Sequence, residues 1–531
     1  MDFNKIKLLI NTVVHLRAIQ MYYRFYYFLR NRLFGYNVKK RIIHDFNPIV
    51  WKNRFYYKNS YFEKNNSFTF LNKSHCFSDK INWNFNQFGK LWTYNLNYFD
   101  FLNQNNISKK TGLILIKDFI EKDNLLKDGK EPYPISLRGV NWVKFLSNNE
   151  IKDKAINNTL YFHYSILFKN LEYHLLGNHL LENAFSLLFG AYYFQDEKLY
   201  TKSYKILISE LHEQVLKDGA HFELSPMYHQ IILSRLLDVI QLIKLNSEWK
   251  KDDLLSFLEA KASLMISWLR DITYKNGKIP MVNDATYNIA PSSHHLFTYA
   301  KYLGINSQDI PLSDSGYRKI NFNNYELFID VGSVGTSYQP AHAHSDTFNF
   351  ELIKDGNPVF VDTGISTYEK NNKRQQERST HSHNTVEISS QNQTQVWGGF
   401  RVAKRAKIIH LIEKYNFIEA SHDGYLSDDF KHTRSFLWGE KYLILKDKIN
   451  RSTSNKAKAY FHLHFSVTKP LVDGNTIMLE SLGVSIEFEG ASNICIEEYQ
   501  LSLGFNKTNK AFKLIIDFDK NLKTLINLSN V

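Results

Sequence analysis

The hydrophobic pattern of this 531-residue chain changes period near residue 321, and that change constrains the fold most. Before it, apolar residues recur at three- and four-residue spacing over 158–195, 199–217, 228–246 and 252–274, as in helices with one buried face. After it, 325–335, 347–354, 358–362, 384–389, 405–421, 434–448 and 459–468 alternate and are rich in β-branched and aromatic residues, as in strands. Asp218-Gly219 and Asn276-Gly277 read as turns. Lys354-Asp355-Gly356-Asn357 reads as a hairpin turn between two strands. The short polar breaks predict antiparallel helix pairs, arranged as a bundle or a toroid. The later strands are spaced like those of a large antiparallel β-sandwich. The boundary is expected at about 310–322, around Pro311-Leu312-Ser313-Asp314-Ser315-Gly316.

The first 40 residues stand apart. Residues 5–33 read as an amphipathic, basic, Tyr-rich helix that could lie on a membrane surface or pack on the protein. Asn11, His15 and Arg17 interrupt its apolar run and no Ala-x-Ala site follows, so it does not read as a signal peptide. Elsewhere there is no run of ~20 apolar residues to span a bilayer. A cytoplasmic chain is expected by default, with the periplasm as the alternative. Only Cys76 and Cys495 are present, which excludes a disulfide scaffold and a Cys-type zinc protein.

Lys and Arg total 66 against 53 Asp and Glu, a net charge of +13 that suits an anionic partner. Zinc-finger spacing and the sheet signature of an RNA-binding module are both missing, so nucleic acid is not the expected partner. Abundant Asn, Lys and Ile fit an AT-rich genome, which accounts for part of the Lys excess. Aromatics reach 15%, and aromatic rings stack on sugars as well as filling cores.

The densest site signal is Ala341-His342-Ala343-His344-Ser345-Asp346. On an extended segment alternate residues share a side, so His342, His344 and Asp346 would face together. Asp362 ends the next strand, and His381 and His383 lie in Thr380-His381-Ser382-His383-Asn384-Thr385. Two imidazoles and a carboxylate suit Zn²⁺. If Asp355-Gly356 is a two-residue turn, Asp362 falls opposite Asn349, and the His-x-His segment must bend back to meet it. In the helical half, Gly177-Asn178-His179 opens a helix, with Asn178 and Glu182 on one face. Ser225-Pro226 marks another helix start, with Tyr228 in its first turn. Taken singly, Asn178 also reads as a helix cap and Tyr228 as a buried aromatic.

Together these motifs resemble the heparinase II/III family of polysaccharide lyases. The resemblance rests on His342-Ala343-His344-Ser345-Asp346 followed by Phe348, Phe350, Leu352, Gly356, Pro358 and Asp362-Thr363-Gly364. His383-Asn384-Thr385-Val386 and Trp397-Gly398-Gly399-Phe400-Arg401 extend it. Gly177-Asn178-His179, the segment from Glu223 to His229, Arg138 and Asn141-Trp142 match in the helical half. The resemblance implies a multidomain α and β fold. A helical segment at 1–40 would precede an alginate-lyase-like (α/α) toroid at 41–320 and a heparinase II/III-like antiparallel β-sandwich at 321–531. The chain is similar to signal-less members linked to bacterial surface-polysaccharide production.

Roles follow from the resemblance residue by residue. Asn178 matches the residue that neutralises a uronate carboxylate, and Tyr228 and His342 match the catalytic Tyr and His. Arg138, Asn141, Trp142, His179, Glu223 and Arg401 become candidate substrate contacts. His344, Asp362 and His383 match the ligands of a structural zinc. The implied substrate is a uronic-acid-containing acidic polysaccharide, cleaved by β-elimination. That chemistry needs the carboxylate neutralised, a base at C5 and an acid at the leaving O4. His342 suits the base and Tyr228 the acid, or Tyr228 the base for the other C5 epimer. A glycan-binding or assembly protein, or a glycoside hydrolase, on the same scaffold is the alternative. A cupin-like Fe(II) oxygenase ranks below these.

Overall fold

The computed structural model describes residues 3–33, 38, 46–54, 57–250, 253–338, 340–454 and 456–529. The switch of period is a switch of architecture. Helices dominate up to Ser293–Tyr302, and strands dominate from Tyr317–Asn321 onward. Three helices form the inner layer: Pro132–Asn148, Gly177–Phe194 and Pro226–Leu245. They are buried around most of their circumference, as helices surrounded by others must be. Lys154–Lys169, Glu197–Gln214 and Leu254–Ile272 cover them and bury one face each. The layers form an (α/α) toroid.

The segment expected at 158–195 is two helices, Lys154–Lys169 and Gly177–Phe194, broken by Asn170–Leu176. Helix starts fall where small polar residues offer a cap. Ser225 Oγ accepts from Tyr228 N and Asp196 from Lys198 N and Leu199 N. A three-stranded sheet of Tyr61–Phe62, Ser67–Phe70 and Lys73–Cys76 interrupts the helical half.

The N-terminal segment is two helices, Phe3–Val13 and Ala18–Leu33, where one was expected. Gln20 Oε1 accepts from Arg17 N at 3.0 Å and so restarts the helix after the turn. The expected boundary at 40 lies outside the described residues.

The sandwich pairs a four-stranded sheet with a ten-stranded one, both antiparallel. The smaller sheet runs in chain order through Tyr317–Asn321, Tyr325–Asp330, Phe350–Lys354 and Asn357–Phe360. Its Phe350 meets Phe436 and Phe461 of the larger sheet at ring separations of 6.2 and 6.1 Å. The core between the sheets is therefore continuous. Asp355 (φ 48°) and Gly356 (φ 78°) form the expected two-residue turn. A bulge follows it, because Leu352 pairs with Phe360 but Ile353 with Pro358. Residues beyond the bulge slip by one from the expected pairing. The segments 405–421 and 434–448 each span parts of two strands: Ile408–Lys414 and Phe417–His422, then His432–Gly439 and Tyr442–Ile449. Two strands of 21 residues, Val484–Gly504 and Lys507–Asn527, close the fold. Their exposed charges dilute the alternation, which hid them from pattern reading.

Candidate active site

A cleft of about 920 Å³ lies where the inner helices meet the loops of the sandwich. Asn178, Glu223, Tyr228 and His342 all line it, although 164 residues separate Asn178 from His342. Asn178 enters through a strained start. Leu176 and Gly177 both have positive φ, 62° and 60°. A Cβ on Gly177 would stand 2.5 Å from Glu223 Oε1, so the backbone can approach that carboxylate only as glycine. Asn178 N and Nδ2 both donate to Glu223, at 2.8–3.0 Å. Burial works to raise the Glu223 pKa. The His221 and His342 imidazoles and the Asn178 donors outweigh it and hold the group below its usual range.

His342 is organised by a residue that the sequence did not single out. Its Nδ1 lies 2.9 Å from Asp284 Oδ2. Asp284 also takes His344 Nε2 at 2.8 Å and Arg374 through two nitrogens at 2.5 and 2.7 Å. Its side chain is fully buried. Burial opposes its charge, but the Arg374 guanidinium and the two imidazoles hold it well below the usual aspartate range. An ionised Asp284 accepts a hydrogen bond from His342 Nδ1–H, which leaves Nε2 with its lone pair facing the cleft. Asn178 Nδ2 is 3.5 Å from that nitrogen, too long for a strong bond.

Tyr228 lies over His342 with ring centroids 3.9 Å apart. Its hydroxyl is 3.2 Å from the Tyr368 hydroxyl. Enclosure in the cleft pushes its pKa up, so the phenol stays protonated at neutral pH. Tyr368 follows the strand Asn357–Phe360, and Arg374 stacks over its ring at 4.9 Å.

The remaining candidate contacts divide. His179 lines the cleft, with Nδ1 3.0 Å from Glu172 Oε1. Burial would lower its pKa, but Glu172 overcomes that and raises it. Arg138 does not reach the cleft. It is fully buried, donates to Asn97 O at 3.1 Å and stacks over Phe119. Trp142 is also fully buried, against Phe99 and Phe119. Tyr133 and Leu137, four apart on the same helix, line the cleft there. Asn141 sits one turn deeper and supports the wall: its Nδ2 donates to Tyr98 O at 2.9 Å and Asp100 Oδ1 at 2.6 Å. Arg401 is exposed and stacks on Trp397 at 4.7 Å, while its neighbour Phe400 lines the cleft. An Arg or Trp motif does not say which way a helix buried on all sides turns it.

Behind the cleft, Asp346, Asp362 and His383 bring ligand atoms within 4.8 Å of one another, all buried. His383 Nδ1 lies 2.7 Å from Asp362 Oδ2, and Asn349 Nδ2 donates to the same oxygen at 2.7 Å. His344 stands beside them, its ring centroid 5.3 Å from that of His383. The segment from Pro340 to Asn349 is a loop rather than a strand. His342 and His344 turn together onto Asp284, and Asp346 turns to the His383 cluster. His344 Nδ1, His383 Nε2 and Asp346 Oδ2 are buried without a hydrogen-bond partner. Burial pushes the Asp346 carboxyl up to about 6. Buried orphan acceptors around a carboxylate cluster fit a cation. His381 is half exposed, 3.7 Å from Glu387, and takes no part.

Asp284, Arg374 and Tyr368 are the site residues that pattern reading missed. Asp284 had no signal beyond an Asn-Asp pair after an apolar loop. Arg374 lies in a polar stretch that reads as surface, yet it is fully buried.

Comparison with known proteins places the chain. The profile described as "Heparinase II/III N-terminus" matches residues 139–309, and "Heparinase II/III-like, C-terminal" matches 305–529. A heparin-sulfate lyase of Bacteroides stercoris is 23% identical over 357 residues, 61% of this chain and 50% of that one. A heparin-sulfate lyase of Bacteroides thetaiotaomicron is 22% identical over 345 residues, 57% of this chain and 47% of that one. The aligned region thus spans about half the length of these curated relatives. The crystal structure of heparinase III superposes with a TM-score of 0.65 at 18% identity, covering 89% of this chain and 82% of that one. The toroid and sandwich are the same fold, and the chain belongs to the heparinase II/III family.

Proposed function

We propose that the chain is a polysaccharide lyase that cleaves a uronic-acid-containing polysaccharide by β-elimination, within bacterial surface-polysaccharide metabolism (capsule, O-antigen or exopolysaccharide). The observation that carries this is the His342 geometry. His342 Nδ1–H donates to the Asp284 carboxylate, so Nε2 is a base facing the cleft beside Tyr228 and Asn178.

The steps follow from the residues. Asn178 Nδ2 spans both Glu223 oxygens, at 3.0 and 2.8 Å, and its N–H toward His342 Nε2, 3.5 Å away, would turn to a substrate carboxylate. That contact favours charge build-up on the carboxylate as the C5 proton leaves. His342 Nε2 removes the proton, and Asp284 stabilises the imidazolium that forms. Tyr228 keeps its proton until O4 departs and then donates it. Tyr368, 3.2 Å away, holds the phenol in place.

The cleft walls bear on the substrate. Lys90, His179, Arg235 and Lys370 supply positive charge. The first three already face acids: Glu131 at 2.7 Å, Glu172 at 3.0 Å and Glu182 at 2.9 Å. Asp100, Glu223 and Glu369 add negative charge. A densely sulfated chain would meet these carboxylates, whereas one carboxylate per repeat needs one neutralising contact. Tyr94, Tyr98 and Tyr133 offer faces for sugar rings. The reading therefore favours a glycan whose charge is mainly carboxylate.

His344, Asp362 and His383, joined by Asp346, would hold Zn²⁺. The ion would supply positive charge among buried carboxylates and brace the loops behind the cleft.

The test is incubation with uronate polymers, sulfated and unsulfated, including the producing cell's own surface polysaccharide. Absorbance from unsaturated uronate at new chain ends is expected, faster on unsulfated chains. New reducing ends without that chromophore would make the protein a hydrolase. Binding without new ends would make it a glycan-binding or assembly protein.

A further inference from the structure

The two N-terminal helices, Phe3–Val13 and Ala18–Leu33, present a surface the catalytic reading does not use. Residues 3–33 carry six cations, Lys5, Lys7, Arg17, Arg24, Arg30 and Arg32, and no Asp or Glu. They also hold twelve of the twenty-seven large apolar side chains exposed among the described residues.

The second helix has two faces. Its inner face is docked: Gln20 Nε2 donates to Leu175 O at 3.2 Å, and Tyr23 stacks on Tyr173 at 4.6 Å. Further along, Tyr27 OH donates to Leu171 O at 2.6 Å and Arg30 to Lys169 O at 2.7 Å. Its outer face carries Met21, Phe25 and Phe28 at helical spacing, 51%, 63% and 57% exposed, with Arg24 and Arg32 beside them. The first helix adds exposed Leu9, Ile10 and Val13 beside Lys5 and Lys7. Water does not favour so much apolar surface, and its rim of single-sign charge repels another copy of itself.

We propose that these two N-terminal helices seat the protein on an anionic lipid surface. The apolar outer face would enter the headgroup boundary, and Lys5, Lys7, Arg24 and Arg32 would meet lipid phosphates. No helix among the described residues is long and apolar enough to cross a membrane, so the two helices would lie in the interface. The seat touches the cleft wall. Arg17 pairs with Glu213 and stacks over Tyr338 at 4.0 Å, and Tyr338 lines the cleft. Leu175, which accepts from Gln20, lines it as well. Trp397 Nε1 donates to Thr12 Oγ1 at 3.1 Å, next to the loop that carries Phe400. Membrane binding thus holds the cleft at the lipid surface. The lipid contact itself does not depend on the lyase reading, because the assay reads binding alone.

The experiment is co-sedimentation of the full chain with vesicles of phosphatidylcholine, alone or mixed with phosphatidylglycerol. Binding at least about tenfold stronger to the anionic vesicles, weakened by salt, is expected. Phe25→Asp and the pair Arg24→Glu with Arg32→Glu alter only exposed side chains and should each cut binding about tenfold or more. Unchanged circular dichroism of these variants keeps the comparison valid. Equal or absent binding to both vesicle types would overturn the proposal. So would a dimer in sizing experiments that Phe25→Asp dissociates, because the face would then serve self-association.

Discussion

Replacing Tyr228 with Phe separates chemistry from packing at this site. The substitution removes one oxygen and keeps the ring that lies 3.9 Å over His342. That oxygen has a single protein contact shown, the Tyr368 hydroxyl at 3.2 Å. Its loss should cost about 0.5–1.5 kcal/mol of stability. In a chain of this size such a change moves the melting temperature by a few degrees at most. The catalytic effect is of another order. Losing a positioned proton donor removes about 10²–10⁴ in rate, or about 3–5 kcal/mol of transition-state stabilisation. The decisive measurement is kcat from initial rates of unsaturated-uronate formation, with the melting curve recorded on the same preparation. A loss of at least a hundredfold in kcat with KM nearly constant is expected, because the phenol acts at the departing O4 and not in ground-state binding. A kcat within about threefold of the parent would refute the role of Tyr228, and with it the division of labour with His342.

Three further outcomes follow from the same geometry. Asp284→Asn keeps the shape but lets the amide donate to His342, which favours the wrong tautomer; kcat should fall about 10³–10⁴-fold. The unpaired Arg374 should cost several kcal/mol in denaturant titration, and a merely structural Asp284 would show the second effect without the first. Glu210 is buried, and burial pushes its carboxyl up to about 7. The native state then binds a proton that the unfolded chain releases near pH 4.5, so this group erodes stability as pH rises from about 4.5 to 7. Glu210→Gln should flatten that slope and raise the melting temperature above pH 7, and an unchanged slope would contradict the assignment. Chelator dialysis should strip about one zinc per chain and lower the melting temperature, and His383→Ala should fail to take zinc up. Iron in place of zinc, or no metal at all, would count against the site.

Period alone settles architecture here. A 3.6-residue repeat must bury one helix face and a two-residue repeat one strand face, so the change near residue 321 separates a helical half from a sheet half. Turn chemistry was equally local: Asp355-Gly356 formed its hairpin and Ser225 capped its helix because both need only near neighbours. The motifs also named Asn178, Tyr228 and His342, whose side chains converge in one cleft.

What sequence could not decide is direction and long-range pairing. Arg138 and Arg401 carry the charge expected of cleft contacts, yet one is locked under Phe119 and the other lies on Trp397 at the surface. Asp284 and Arg374 stand 90 residues apart in segments that read as loops, and they become a buried ion pair only when the sandwich closes on the toroid. A charge acquires such a role from the partners that folding places beside it once water is excluded, and no local pattern encodes those partners. The residue types and periods were thus set by the sequence. The partner that orients His342, the buried cluster of Asp346, Asp362 and His383 behind it and the face that the N-terminal helices turn outward were decided by tertiary packing.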